Sequence, residues 1–226
     1  PSSRLDTPPA THLDHPQGAG CASQLDPDRH DWISYRPGNR AAGEFRGIPT
    51  PIHPAAGMHT GGTHCVTETA GSRIDSSCED SAWAAHWDFF DDFARMTVTR
   101  AARPYWFLYE GTPGGNLDLE HDFYLLSDGT RGRMDDAFAR DLPDPEWIAF
   151  GDERLQRVLV IAKEQPDEID DQFYQMDAEM TVFGFGREHR CCGKYLTETP
   201  ATFIVFFSDT TDPAAITATL RARATP

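Results

Sequence analysis

The sequence predicts a mostly β protein: an antiparallel β-sandwich, jelly-roll-like, with long N-terminal loops and one short C-terminal helix. Three observations carry that prediction. Short apolar or alternating runs recur roughly every ten residues from Trp83 to Phe207, with Gly, Pro and Asp between them. Aromatic residues make up 11% of the chain and 14 of them are Phe, so the core is built largely from rings, which favour strands. No alternation of strands with helices is visible, which argues against a parallel doubly wound sheet.

The elements follow in chain order. Residues 1–30 are rich in Pro, Asp, His and Gly and read as an extended N-terminal arm, able to reach a neighbouring subunit in a homo-oligomer. Residues 31–226 form a single sandwich domain, a normal size for that fold. Its first part, residues 36–64, is a long Gly/Pro-rich loop, with short strands expected at Glu44–Ile48 and His64–Glu68. Ser72–Ser81 is polar and is expected to be a turn. Trp83–Phe90 reads as a strand with Trp83 and Trp87 on one face, because side chains alternate. Arg95–Arg100 alternates polar and β-branched residues. Tyr105–Tyr109 is a continuous apolar run, expected to be a buried central strand. Asp122–Leu126 leads into a turn centred on Asp128-Gly129. Trp147–Phe150 and Arg157–Ala162 form a hairpin, and Gln172–Met176, Met180–Gly184 and Thr202–Phe207 complete the strands. One helix closes the chain. Asp212 caps it, Pro213 suits its first position, Ile216 and Leu220 share a face, and Arg221 and Arg223 complement its negative end.

Charge limits the partners. Thirty-six acidic residues against 20 basic ones give a formal charge of −16. Binding phosphates needs clustered Lys and Arg, and none is seen, so nucleic acid and anionic membrane surfaces are excluded as expectations. No run approaches the roughly 18 apolar residues of a membrane span. The chain opens on Pro1 without a leader and reads as a processed product, so a secreted or extracytoplasmic protein is expected. The five cysteines are Cys21, Cys65, Cys78, Cys191 and Cys192. Cys65 and Cys78 can close a short disulfide loop, and the odd number leaves at least one without a partner in the chain.

Four groups of residues can carry chemistry. Glu110 ends an apolar strand beside Gly111-Thr112-Pro113-Gly114-Gly115, where a carboxylate is held rigidly or simply makes an ion pair. Asp177 and Glu179 share a face if extended, and paired carboxylates can hydrolyse glycosides, although an acidic solvent face reads equally from the pattern. His53, His59 and His64, with Glu68, can supply a base or, through loops, a metal site. Trp32, Trp83, Trp87, Trp106, Trp147, Tyr124, Tyr174 and Tyr195 offer rings that stack on sugars, though most must be core. Arg46, Arg131, Arg187 and Arg190 can each hold a uronate carboxylate or a sulfate by two hydrogen bonds.

Four pieces resemble known proteins: HWDFFDDFARMTV, PYWFLYEGTPGG, LPDPEWIAFGD and MDAEMTVFGFGR. They are similar to exported bacterial β-sandwich modules associated with polysaccharide degradation. The resemblance implies a carbohydrate ligand and leaves the reaction open. A polysaccharide lyase would use His53, His64 or Tyr109 as base with Arg46 neutralising the uronate. A hydrolase would use Glu110 with Asp177 or Glu179. Trp106, Trp87, Tyr174, Arg46 and Arg187 are the expected substrate-binding residues. A non-catalytic carbohydrate-binding module, a cupin-like metal-binding protein using the loop histidines, and an assembly protein are the alternatives. The sequence names no cofactor.

Overall fold

The computed structural model describes residues 65–78, 83–102, 104–111, 117–176, 180–187 and 196–224. Four strands open this part: β1 (Cys65–Ala70), β2 (Arg73–Cys78), β3 (Trp83–Phe89) and β4 (Phe93–Ala101). Each pairs antiparallel with the next. Gly71 makes the first turn at φ +60°, a conformation that costs glycine little. Next come β5 (Phe107–Gly111), β6 (Asp122–Leu126), β7 (Arg131–Arg133) and β8 (Phe138–Arg140). The last strands are β9 (Trp147–Asp152), β10 (Val158–Lys163), β11 (Asp171–Met176), β12 (Met180–Phe185) and β13 (Ala201–Ser208), before helix α1 (Pro213–Ala224).

The strands form two antiparallel sheets of unequal size. The larger runs β1-β2-β3-β4-β13-β10-β9-β6-β7, and the smaller runs β5-β12-β11-β8. Their facing sides make the main core, and rings carry the contact. Phe107 of the small sheet stacks on Phe203 of the large one at 4.2 Å, and Tyr109 stacks on Phe150 at 5.4 Å. Pairs in this range add to the burial of apolar area. The second core lies on the other side of the large sheet, where Trp147, Val160, Ile204 and Phe206 pack against Ile216 and Leu220 of α1. Asp212 Oδ1 accepts the Ala214 N–H at 3.1 Å and caps this helix, as its sequence requires. Trp147 Nε1 donates to Thr217 Oγ1 at 3.0 Å and ties the helix to β9. No helix among the described residues is long and apolar enough to cross a membrane.

Two local expectations are corrected. Ser72–Ser81 is not a turn throughout: Arg73–Cys78 is strand β2. Ladders to β1 and β3 on both sides hold it, with Ile74 half-buried and Ser76 buried, so pairing overrides a polar composition. The apolar run at Tyr105–Tyr109 does not make a central strand. β5 is the edge of the small sheet, and its run is apolar because both of its faces are covered. The three-residue strands β7 and β8 have no apolar run to announce them. The β1–β2 ladder places Cys65 opposite Cys78, whereas Cys21, Cys191 and Cys192 lie outside the described residues.

Candidate functional site

Alternation along the small sheet builds a third apolar group on the side facing away from the large sheet. β12 sends Phe183 and Phe185 inward and Met180 and Val182 outward. On that outer side Val182 is flanked by Tyr174 of β11, and Trp106 and Leu108 join them. Arg187 follows β12 by two residues and sits among these rings with 7% of its surface exposed.

Local sequence explains how Arg187 comes to be there. Gly186 has φ +63° and turns the chain at the end of β12. Its N–H donates to Asp171 Oδ1 at 2.8 Å. A Cβ at Gly186 would stand 2.3 Å from Leu196 Cγ, so a side chain there does not fit. Gly184 leaves room for the arginine stem, since a Cβ there would meet Arg187 Cδ at 3.0 Å. Burial pushes the Asp171 carboxyl well above its ordinary range, while the Gly186 N–H pulls the other way.

The guanidinium carbon lies 5.4 Å from the Trp106 ring centre and 5.0 Å from the Tyr174 ring centre. Arg187 Nη2 donates to Tyr174 Oη at 2.9 Å. Nε and Nη1 are closed to solvent and have no hydrogen-bond partner among the described residues. Among the described residues no carboxylate stands within 4.0 Å of the guanidinium. Gln172 is opposite Gly184 in the ladder, on this outer side, and its Oε1 is also buried without a partner among the described residues. Two rings recover roughly 1–2 kcal/mol for a buried cation. Desolvating an ion costs several kcal/mol, so the arrangement is incomplete as it stands.

Two other charged groups are internally matched. Lys163 is 1% exposed, and its Nζ lies 2.8 Å from Asp167, 2.9 Å from Glu198 and 3.8 Å from Glu146. Burial alone would lower the lysine pKa, but hydrogen bonds to Asp167 and Glu198 outweigh it and the net direction is upward. Burial pushes Glu146 up to about 7. Oxygens of Asp141, Glu146 and Asp167 lie within 4.8 Å of one another, a spacing that suits a cation, and the Lys163 ammonium is already bonded there. At another end of the sandwich Arg154 Nη2 bridges Asp152 at 2.6 Å and Asp118 at 2.9 Å. Asp122 beside them is pushed up to about 7, first by burial and then by those two carboxylates.

The structure brings Trp106, Tyr174 and Arg187 together out of the residues expected from the sequence. Tyr109 lies on the opposite face of β5, fully buried between the sheets, where a polymer has no path to it. Trp87 is also in the inter-sheet core, stacked on Phe89 at 6.0 Å, with one edge on a groove lined by Phe90, Phe93 and Phe207. The Glu110 backbone pairs with Val182 in the small sheet. Met176 and Met180, which bound residues 177–179, are at the same end of that sheet as Gly111, away from Arg187. Asp177, Glu179, His53, His64 and Arg46 lie outside the described residues, as do residues 1–30. Sequence reasoning passed over Asp171, Gln172, Gly184 and Gly186. The run Phe183-Gly184-Phe185-Gly186-Arg187 held a usable signal, because alternate glycines inside a strand mark a close approach by another group. No protein-family model matches the chain, and neither a curated protein nor a solved structure does.

Proposed function

We propose that this chain is a carbohydrate-binding module that takes its ligand along the groove lined by Trp87, Phe90, Phe93 and Phe207. The observation that carries this reading is that groove, where rings reach the surface, Phe90 is 48% exposed and Asp91 and Asp92 stand beside them. Such sites combine flat apolar surface with a few convergent polar groups, which is how a pocket fixes a polar ligand. Phe90 stacks on Phe93 at 4.1 Å, which fixes this ring surface.

Electrophoresis of the native protein through gels containing single polysaccharides tests this, with released reducing ends and ultraviolet absorbance of unsaturated uronate followed in parallel. The expected result is retardation by at least one polymer with no new chain ends. Product from any polymer would replace the module with an enzyme. Free migration in every gel would remove the carbohydrate reading.

A further inference from the structure

We infer that the groove at the β3–β4 hairpin selects sugars that carry a protonated amine, so that the ligand is a cationic amino-sugar polysaccharide. This rests on the carbohydrate-binding reading above and adds the chemical class of the ligand.

The groove lies where the β3–β4 hairpin meets the end of β13. Trp87 and Phe89 of β3, and Val205 and Phe207 of β13, lie on the face of the large sheet that is turned toward the small one. Phe89 and Phe207 are half-buried there, and Phe90 at the hairpin tip is 48% exposed. These rings are therefore open to a ligand, unlike those sealed between the sheets. Phe90 stacks on Phe93 with the two planes 8° apart, so it offers a flat surface held from behind. A sugar lays its C–H face on such a ring, and an ammonium carried by that sugar is drawn to the electron-rich ring face.

Charge at the groove selects the same group. Its two charged lining residues are Asp91 and Asp92, both acidic and both exposed. The Phe90 N–H donates to the Phe93 carbonyl at 2.9 Å, which closes the hairpin and holds both carboxylates at its tip. The neighbouring arginines belong to the helix side of the sheet. Arg95 is opposite Ile204 in the ladder and donates to the Arg223 carbonyl. Arg223 Nη2 bonds Asp92 at 2.6 Å. Asp92 is thus matched from the helix side, and Asp91 presents the charge that a ligand meets. The formal charge of −16 over the whole chain adds a long-range pull on a polycation and repels uronates and sulfated sugars. Acetylating the amine keeps the ring contact and removes the ion pair, and that difference is the source of the selectivity.

The test is titration calorimetry at low salt and mildly acidic pH, where sugar amines are protonated and aspartates ionised. The probes are soluble oligosaccharides of glucosamine, of N-acetylglucosamine and of glucose, together with polylysine. The expected result is that the glucosamine oligosaccharide binds about fivefold tighter than its N-acetylated form, the factor of a well-placed exposed ion pair. Added salt should narrow that gap. Asp91→Asn should bind the two forms alike, and Phe90→Ala should lose the heat with both. Equal affinity of the wild type for the two forms would overturn the inference and leave the carbohydrate-binding reading standing. Polylysine binding as tightly as the glucosamine oligosaccharide would also overturn it, since the groove would then read charge without a sugar ring. A preference undiminished in Asp91→Asn, or binding unchanged in Phe90→Ala, would overturn it by placing the selection outside the groove. No heat with any oligosaccharide would overturn the reading beneath it as well. The comparison of the two glucosamine forms uses the wild type alone, so it decides the matter even if a variant does not fold.

Discussion

The small domain of charge around Lys163 and the one around Arg187 pose the same physical problem and solve it differently. Both cations are removed from water, at 1% and 7% exposure. Lys163 has three carboxylates within 4 Å, contributed by residues 146, 167 and 198. These come from the start of β9, the loop after β10 and the segment before β13, so the lysine joins separate parts of the chain. Arg187 has two rings, one tyrosine hydroxyl and no carboxylate among the described residues. A cation that is fully matched from within serves the fold. A cation matched by rings and a hydroxyl has less to hold it charged. The side-chain types fit the two settings, because a compact ammonium collects several carboxylates whereas a planar fork packs against rings.

The contrast can be broken first at the level of stability. Lys163→Met is expected to cost about 3–5 kcal/mol, because Glu146 is left buried and Asp167 half-buried without their cation. Arg187→Met is expected to change stability by less than about 1 kcal/mol, since no carboxylate among the described residues is left without its cation. Urea unfolding measures both, and similar losses in the two variants would end the distinction. A pH titration sharpens the Lys163 side. Glu146 is raised from its ordinary value of 4.5 to about 7. The folded state therefore holds that proton more tightly, and the associated stability is present at low pH and lost as pH rises from about 4.5 to about 7. Glu146→Gln should decline less than the wild type across that window, by about 1–3 kcal/mol. Parallel curves would show that this carboxyl does not titrate with folding. The smallest effect tests the Arg187 side. Gly184→Ala places a methyl 3.0 Å from Arg187 Cδ. It should cost about 1 kcal/mol in urea unfolding, because the arginine stem must give way. Unchanged stability would mean that the stem moves aside freely.

The sequence made the fold far more readable than the site. Periodicity located β3, β4, β6, β9, β10, β11, β12 and β13 because each repeats the two-residue spacing or runs apolar over its length. It missed β2, since Arg73, Asp75 and Ser77 look like a turn until β1 and β3 supply ladders on both sides. It misplaced the Tyr105–Tyr109 run because two-sided burial looks the same on an edge strand as on a central one. The site was legible as residue types and not as an assembly. Trp106, Tyr174 and Arg187 are far apart along the chain, and only the β5-β12-β11 ladder order brings them together. What no spacing reveals is which buried cation has rings and which has carboxylates beside it, because that depends on where every side chain ends up.

Trp147 and Trp106 give the protein two optical probes with opposite duties. Trp147 is sealed beneath α1, with its indole N–H held by Thr217, on the far side of the large sheet from the small one. Trp106 stands 5.4 Å from the positive guanidinium, so its emission senses the electric field of Arg187. Removing the Arg187 charge cancels that field and shifts the Trp106 contribution to the emission, while that of Trp147 stays as it is.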